Sequence, residues 1–288
     1  MLDSENISFD GAEAIGGASL GNLMAERYGT QAPQGLGDGN AVIRSILGHR
    51  SIRGYTPEPI PEAVIAMMTA AAQSAASSSN MQLWSLVCVT DPDRKSRLSK
   101  LAGDQQHIDD APLLVVWLAD LARCRRMAAH ENHPSEGLDY LESFVTAAID
   151  AALAAQNAVV ALESLGYGTC YIGSIRSHPV DVAAELHLPP EVFPLFGLTV
   201  GRPKTNDDAA IKPRLPPTSV VHAERYALDV FDRDLSVYNR VMSLFQAAQN
   251  MPVVDWSLRT SRRIGSAASL KNRDKLKGYL EAMGFKLR

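Results

Sequence analysis

The chain has 288 residues, of which 46% are hydrophobic and 21% charged, and its net charge is −4. This is the composition of a soluble globular protein with one large core or two smaller domains, and it supplies no basic field for nucleic acid. No apolar run reaches the length of a membrane span, and the acidic start Met1-Leu2-Asp3-Ser4-Glu5 is unlike a secretory leader, so a cytoplasmic protein is expected. Cys88, Cys124 and Cys170 are odd in number and widely spaced, which suits a reducing compartment and shows no metal-ligand spacing.

Residues 1–40 are rich in Gly, Ala and Ser and read as an N-terminal extension, with a short amphipathic helix from Leu20 to Tyr28. Gly35-Leu36-Gly37-Asp38-Gly39 has the glycines of a dinucleotide loop. It follows Ala-Pro-Gln rather than a strand, so it reads as a flexible joint. A helix from Asn40 to Gly48 then delivers the loop His49-Arg50-Ser51-Ile52-Arg53, whose exit is stiffened by Pro57, Pro59 and Pro61. The planar fork of arginine and the short serine donor suit a phosphate monoester; the plainer alternative is a solvated basic turn.

Pro61 at the first helical position opens a helix to about Ala76, which runs into the polar stretch Ser77-Ser78-Ser79-Asn80. A buried strand over Leu83–Val89 is followed by a helix from Asp91-Pro92 to Leu101 and a polar loop, Gly103–His107. Leu113–Leu118 is a second strand. Neither strand alternates, so both are expected to be covered on two faces. Leu138–Leu165 is the longest helical pattern, alanine-packed and apolar around much of its circumference, and so the expected centre of the fold. It is ended by Gly166 and Gly168 and followed by a strand (Thr169–Ile172), the turn Gly173-Ser174, a helix (Pro179–Leu186) and an apolar strand (Phe193–Val200). Lys212-Pro213-Arg214-Leu215-Pro216 is a rigid basic loop, and helices are expected at Asp229–Ala248 and Leu270–Met283.

Two proline-stiffened basic loops, 49–53 and 212–214, would together surround one anion if the fold joins them. The polar loops Ser77–Asn80, Gln105–His107 and Gly173-Ser174 offer neutral donors and acceptors suited to a flat heterocycle, and Gly173 lets a backbone N–H come close to a ring. His130 and His133 lack a third ligand and read as a surface helix end rather than a metal site. His107 and His178 have no visible carboxylate partner, and structural roles are expected for both. No nucleophile elbow or Walker loop occurs.

Taken together, HRSIR at 49–53, SSS at 77–79, QxH at 105–107, AQNA at 155–158, ESLGYG at 163–168, YIGSIR at 171–176, PLFGLTVGRP at 194–203 and KPRLP at 212–216 resemble the flavin-dependent nitroreductase family. The subgroup it is most similar to is that of the major oxygen-insensitive nitroreductases and the NADPH–flavin oxidoreductases. The resemblance implies an α+β fold with a central, mostly antiparallel sheet flanked by helices. It further implies an intertwined homodimer with FMN at the interface. On this pattern residues 41–222 form the FMN-binding core and 223–288 a helical extension that wraps the partner.

By the same resemblance, His49, Arg50, Ser51 and Arg214 hold the phosphate, and Arg53 and Lys212 lie nearer the ribityl chain and pyrimidine edge. Ser77, Ser78, Ser79 and Gln105 line the isoalloxazine, and the backbone of Tyr171, Ile172, Gly173 and Ser174 runs beside it near N5. The missing dinucleotide loop argues for FMN over FAD. The implied reaction carries electrons from NADPH or NADH to a nitroaromatic compound or a quinone, with the chemistry at FMN N5 and no protein acid or base nominated. The alternatives are a reductase that supplies free reduced FMN and a non-catalytic flavin-binding protein on the same fold. Two departures from the pattern stand out: the extension of residues 1–40, and the stretch Gln246–Val254, which has no basic residue where the subgroup carries arginines for the NADPH 2′-phosphate.

Overall fold

The computed structural model describes residues 19–29, 32, 33, 35, 37, 39–205 and 207–288. Residues 1–18 of the expected extension, and Leu36 and Asp38 of the expected joint, lie outside the described residues. The sheet contains β1 (Trp84–Val89), β2 (Leu113–Asp120), β3 (Gly168–Ile172) and β4 (Val192–Gly201), in the spatial order β1-β2-β4-β3. Every neighbouring pair is antiparallel. β2 is buried along its whole length, as its unbroken apolar run requires. β1 is only half-buried, which corrects the expectation of two covered faces; it lies at the sheet edge, with one neighbour instead of two.

The chain forms two compact units. The first takes the described residues up to Arg50, with Glu163–Gly166 and Asp208–Gly265; the second takes Ser51–Leu162, Tyr167–Asp207 and Ser266–Arg288. The sheet belongs to the second unit.

The long helix runs Leu141–Ser164, a little inside its expected bounds, because Glu136–Asp139 form a separate 3-10 turn. Ala147, Ala151, Ala154, Ala155 and Ala158 are fully buried along it, and such small side chains let neighbouring groups approach its backbone closely. Ala147 and Ala151 pack in one cluster with Leu83, Phe193, Leu195 and Phe285. Phe144, Phe193 and Phe285 meet edge to face there. The C-terminal residues are further fixed by Asp139, whose carboxylate accepts from Lys286 Nζ at 2.8 Å and Arg125 Nη2 at 2.9 Å. By length and hydropathy this helix alone among those described is sufficient to cross a membrane, which amends the expectation that no segment reaches that length. Its mid-point Asp150 is buried and hydrogen-bonded to protein, the arrangement of a core helix.

Local chemistry explains the other helices. Asn40 caps Ala41–Leu47 and Asp91 caps Pro92–Leu101, each side chain accepting from the third residue on. Pro61 is the cap of Glu62–Gln73 rather than its first helical residue. The expected Gly103–His107 loop is partly helical, since Gln106–Asp110 forms one short turn. The expected helix at 270–283 is broken: Lys271 and Asn272 take left-handed φ values of 52° and 66°, and the helix starts only at Leu276. Trp256–Ile264 is an additional helix that the sequence pattern did not mark.

Candidate functional site

In the second unit, residues 51–56 are laid along the sheet. Ile52 N donates to Thr169 O at 3.0 Å, Thr56 N to Arg202 O at 2.9 Å, and Lys204 N to Gly54 O at 3.0 Å. Asp207 Oδ2 accepts from Gly54 N at 3.0 Å. Ser51 bridges Thr169 in parallel and Tyr55 bridges Pro203 antiparallel. Ile52 and Tyr55 are buried, while Arg53 between them is exposed.

Two glycines make room for this segment. A Cβ on Gly168 would lie 2.7 Å from the Ile52 side chain, and one on Gly201 would lie 2.7 Å from the Tyr55 ring, closer than real Cβ atoms approach. The Tyr55 hydroxyl donates to Ile52 O at 2.5 Å and lies 2.8 Å from Thr199 Oγ1. Burial pushes its phenol well above the ordinary value.

The structure brings two of the polar loops together, since Gln105 Nε2 donates both to Ala102 O at 2.8 Å and to Ser174 Oγ. His107 follows; burial and then the charge of Arg53 push its imidazole below the ordinary value, and its buried Nε2 has no hydrogen-bond partner among the described residues. Gly173 has two guanidinium groups near it that the sequence did not single out: a Cβ there would lie 3.4 Å from Arg176 Nη2 and 3.7 Å from Arg273 Nη1. Tyr171, near the end of β3, is exposed.

Ser77 and Ser78 are held by Asp150, a residue only 2% exposed. Its carboxylate accepts from Ser77 Oγ at 2.7 Å, Ser78 N at 3.1 Å and Leu83 N at 3.2 Å. Ser77 Oγ in turn accepts from Gln82 N at 2.7 Å. The loop is tightly curled, with left-handed φ values at Ser79, Asn80 and Gln82 (48°, 55° and 53°). Ser79 and Asn80 border a cavity of about 600 Å³ whose wall includes Met81, Cys124, Met127 and Leu138.

In the first unit, His49 Nδ1 lies 2.7 Å from Glu163 Oε1, which sets the orientation of the ring. Arg50 Nη1 donates to Ala209 O at 3.2 Å, and Arg214 Nη1 to Lys212 O at 3.2 Å. Tyr238 OH donates to the carbonyl of the buried Pro213 at 3.0 Å. Arg50, Lys212 and Arg214 are all exposed. The two basic loops are joined through Arg27, which donates to His49 O on one and to Lys212 O on the other, and also to Leu47 O at the end of the preceding helix. Arg27 lies in the extension, where nothing in the sequence marked it.

Two further histidines have protein partners. His178 Nδ1 lies 3.0 Å from Leu101 O and its Nε2 lies 3.3 Å from Asn272 Nδ2. His130 pairs with Glu131 at the end of the helix Ala122–His130.

Residues 46–202 match the family described as "Nitroreductase family", and residues 212–288 match its C-terminal domain. Over 207 residues the chain is 41% identical to "FMN reductase (NADPH)" of Bacillus subtilis, covering 71% of this chain and 82% of that protein. It is 40% identical over 184 residues to "Oxygen-insensitive NADPH nitroreductase" of Salmonella typhimurium, covering 64% of this chain and 74% of that one. The solved structure of B. megaterium NfrA2 superposes with a TM-score of 0.82 at 38% identity, covering 87% of this chain and all of that one (100%).

Asp150 gives the first test. Its removal leaves the buried main-chain donor of Leu83 without its acceptor, at a cost of about 1–3 kcal/mol, and frees the exposed Ser78 N–H as well. Asp150→Ala is expected to lower stability by at least that amount in chemical denaturation; an unshifted midpoint would mean that the carboxylate does not hold the serine loop.

Proposed function

The chain belongs to the nitroreductase family, and from that premise we propose that it is an FMN-dependent NAD(P)H oxidoreductase that reduces nitroaromatic compounds, and quinones, by two-electron ping-pong transfer. The observation that carries this reading is the basic cluster of the first unit: Arg50, Lys212 and Arg214 are exposed while buried Arg27 holds the main chain of both their loops, at His49 O and Lys212 O. Exposed cations on a braced backbone are a donor set fitted to a phosphate monoester. The names of the relatives, which join NADPH to FMN and to nitro reduction, support the same reading.

On this proposal His49, Arg50, Ser51 and Arg214 hold the FMN phosphate, and Arg53 and Lys212 serve the ribityl chain and pyrimidine edge. Ser77, Ser78, Ser79 and Gln105 line the ring, and the Tyr171–Ser174 backbone lies beside it. Bound there, FMN would supply the reversible two-electron chemistry. The protein's part is positioning. Gln105 and Ser174 fix one another, Asp150 sets the serine loop before any ligand arrives, and the charge of Arg53 favours an anionic ring edge. The apolar wall of the cavity beside Ser79 suits a flat acceptor.

A second reading, release of reduced FMN to another enzyme, is favoured by the relative named an FMN reductase. Retention of flavin through gel filtration after anaerobic reduction separates the two. The main reading is tested by anaerobic reduction of the flavin-loaded protein with NAD(P)H, then reoxidation by a nitroaromatic. Double-reciprocal lines should stay parallel as the acceptor is varied, and converging lines would exclude ping-pong transfer.

Loss of one charged donor to phosphate costs about 1.5–3 kcal/mol, at about 1.4 kcal/mol per decade. Arg214→Ala is therefore expected to weaken FMN binding tenfold or more. Unchanged FMN affinity in both Arg50→Ala and Arg214→Ala would sink the assignment.

We also propose a homodimer in which residues 223–288 wrap the partner. Leu141, Val145, Ile149 and Leu153 recur every fourth residue as an exposed stripe on the long helix, and an apolar stripe of this kind is normally covered. Light scattering should give twice the chain mass; a flavin-bound, active monomer at low concentration would refute the proposal.

The choice of nicotinamide donor turns on the stretch 246–254. Gln246 is buried, and its amide closes the loop onto Val254, donating to its carbonyl at 3.0 Å and accepting from its N–H at 2.7 Å. The loop thus holds no cation for a 2′-phosphate, a contact worth about 1.5–3 kcal/mol or about one to two decades of preference. NADH and NADPH are expected to be used with comparable kcat/KM. A ratio above about a hundred that collapses on replacing Arg262 or Arg263 would show that the flanking arginines take that role.

A further inference from the structure

The helix Leu20–Tyr28 lies ahead of both stretches matched to the family, which begin at residues 46 and 212. Ser19 caps it, accepting from Asn22 N at 3.2 Å. Its buried face is Leu20, Leu23 and Arg27, at helical spacing. An arginine on that face is costly unless the protein satisfies it, and Arg27 is only 6% exposed.

Three carbonyl oxygens satisfy it. Nη1 donates to Lys212 O at 2.8 Å, and Nη2 donates to Leu47 O at 2.7 Å and His49 O at 3.2 Å. The carbonyl of Arg27 itself accepts from Arg214 N at 2.9 Å. One residue therefore binds main chain on both basic loops, and the rigid fork of a guanidinium does this in a way a single ammonium does not. These hydrogen bonds go to carbonyls and not to a carboxylate, so the charge stays unneutralised at contact range. Burial, and next the neighbouring charge of Arg214, hold Arg27 below its ordinary pKa, while Tyr28, Glu26 and Glu163 oppose this. A buried cation beside an exposed one favours an anion between the loops.

We infer that the helix Leu20–Tyr28 is a built-in brace of the phosphate clamp, with Arg27 as its positioning residue. The inference rests on the reading that Arg50 and Arg214 hold the FMN phosphate. Arg27 acts through the loops: its own guanidinium is used up on carbonyls, and what it fixes is the position of the His49 and Lys212–Arg214 backbone.

The test uses the full chain, stripped of flavin, and compares affinity for FMN with affinity for riboflavin, which lacks the phosphate, by quenching of flavin fluorescence. Arg27→Met keeps much of the shape and removes the donors; Arg27→Lys keeps the charge and loses the fork. Arg27→Met is expected to lower the FMN-over-riboflavin ratio at least tenfold and to let FMN escape during gel filtration, with Arg27→Lys in between. An unchanged ratio, or an equal loss for both flavins, would overturn the brace. Should the methionine variant fail to fold, the lysine variant carries the same comparison: a lowered ratio supports the brace, and an unchanged ratio or an equal loss for both flavins overturns it. Arg214→Ala is run alongside. If it also leaves the ratio unchanged, the clamp itself is misassigned; if it lowers the ratio while Arg27→Met does not, the clamp stands and the brace falls.

Discussion

Ile52 occupies the space that a side chain on residue 168 would fill. Because β3 begins with a glycine, the segment 51–55 can dock on it through main-chain bonds instead of looping into solvent. Gly201 does the same for Tyr55 at the end of β4. With Ile52 driven inward, the period-two geometry of an extended chain turns its neighbours Ser51 and Arg53 the other way, and Tyr55, three residues on, departs from that alternation and is also buried. Polar side chains are thus presented by apolar packing: buried Ile52 aims the polar residue on either side of it. Tyr55 strengthens the arrangement by donating its hydroxyl to Ile52 O, so the loop is tied to itself as well as to the sheet.

Crowding cations onto short loops raises a Coulomb problem, and the first unit meets it with backbone oxygen. Arg27, Arg50 and Arg214 all spend donors on carbonyls, from Lys212, Ala209 and Pro213 among others. Carbonyl dipoles fix a guanidinium without cancelling its charge, whereas a carboxylate would do both. Glu163 is a carboxylate partner instead, and it is placed on His49, whose ring it orients. The cluster keeps its positive field while its geometry is set in advance, the condition under which an anion binds with little reorganisation.

How much of the fold and the site was legible in the sequence depended on whether the signal was local. The helices capped by Asn40 and Asp91, the strands β2 and β4 and the long alanine-rich helix announce themselves through neighbours a few residues away. The basic and polar loops were legible as chemistry, and their family pattern supplied roles that no single loop could. Asp150 was not legible: an isolated acid in an apolar helix looks like a solvated position, and its partners lie 67–73 residues away. Arg27 was invisible for the same reason, since its bond to Lys212 spans 185 positions. The half-exposure of β1 was missed because a strand's place in the sheet is a property of topology and not of its composition. Trp256–Ile264 was missed because its polar face, with Arg259, Arg262 and Arg263, interrupts the apolar run that marks a helix.

The long helix shows why composition misleads in the other direction. Its hydropathy comes from alanines that let the core close on its backbone and from the outward stripe Leu141, Val145, Ile149 and Leu153, two features with different causes. A lipid environment would accept both. It would not accept Asp150, which needs Ser77 Oγ and two main-chain N–H groups brought to it by a curled loop with three left-handed residues. The carboxylate that fixes the serine loop thereby also fixes what kind of helix this is. A charged group with its donors supplied by the same unit belongs to a protein interior.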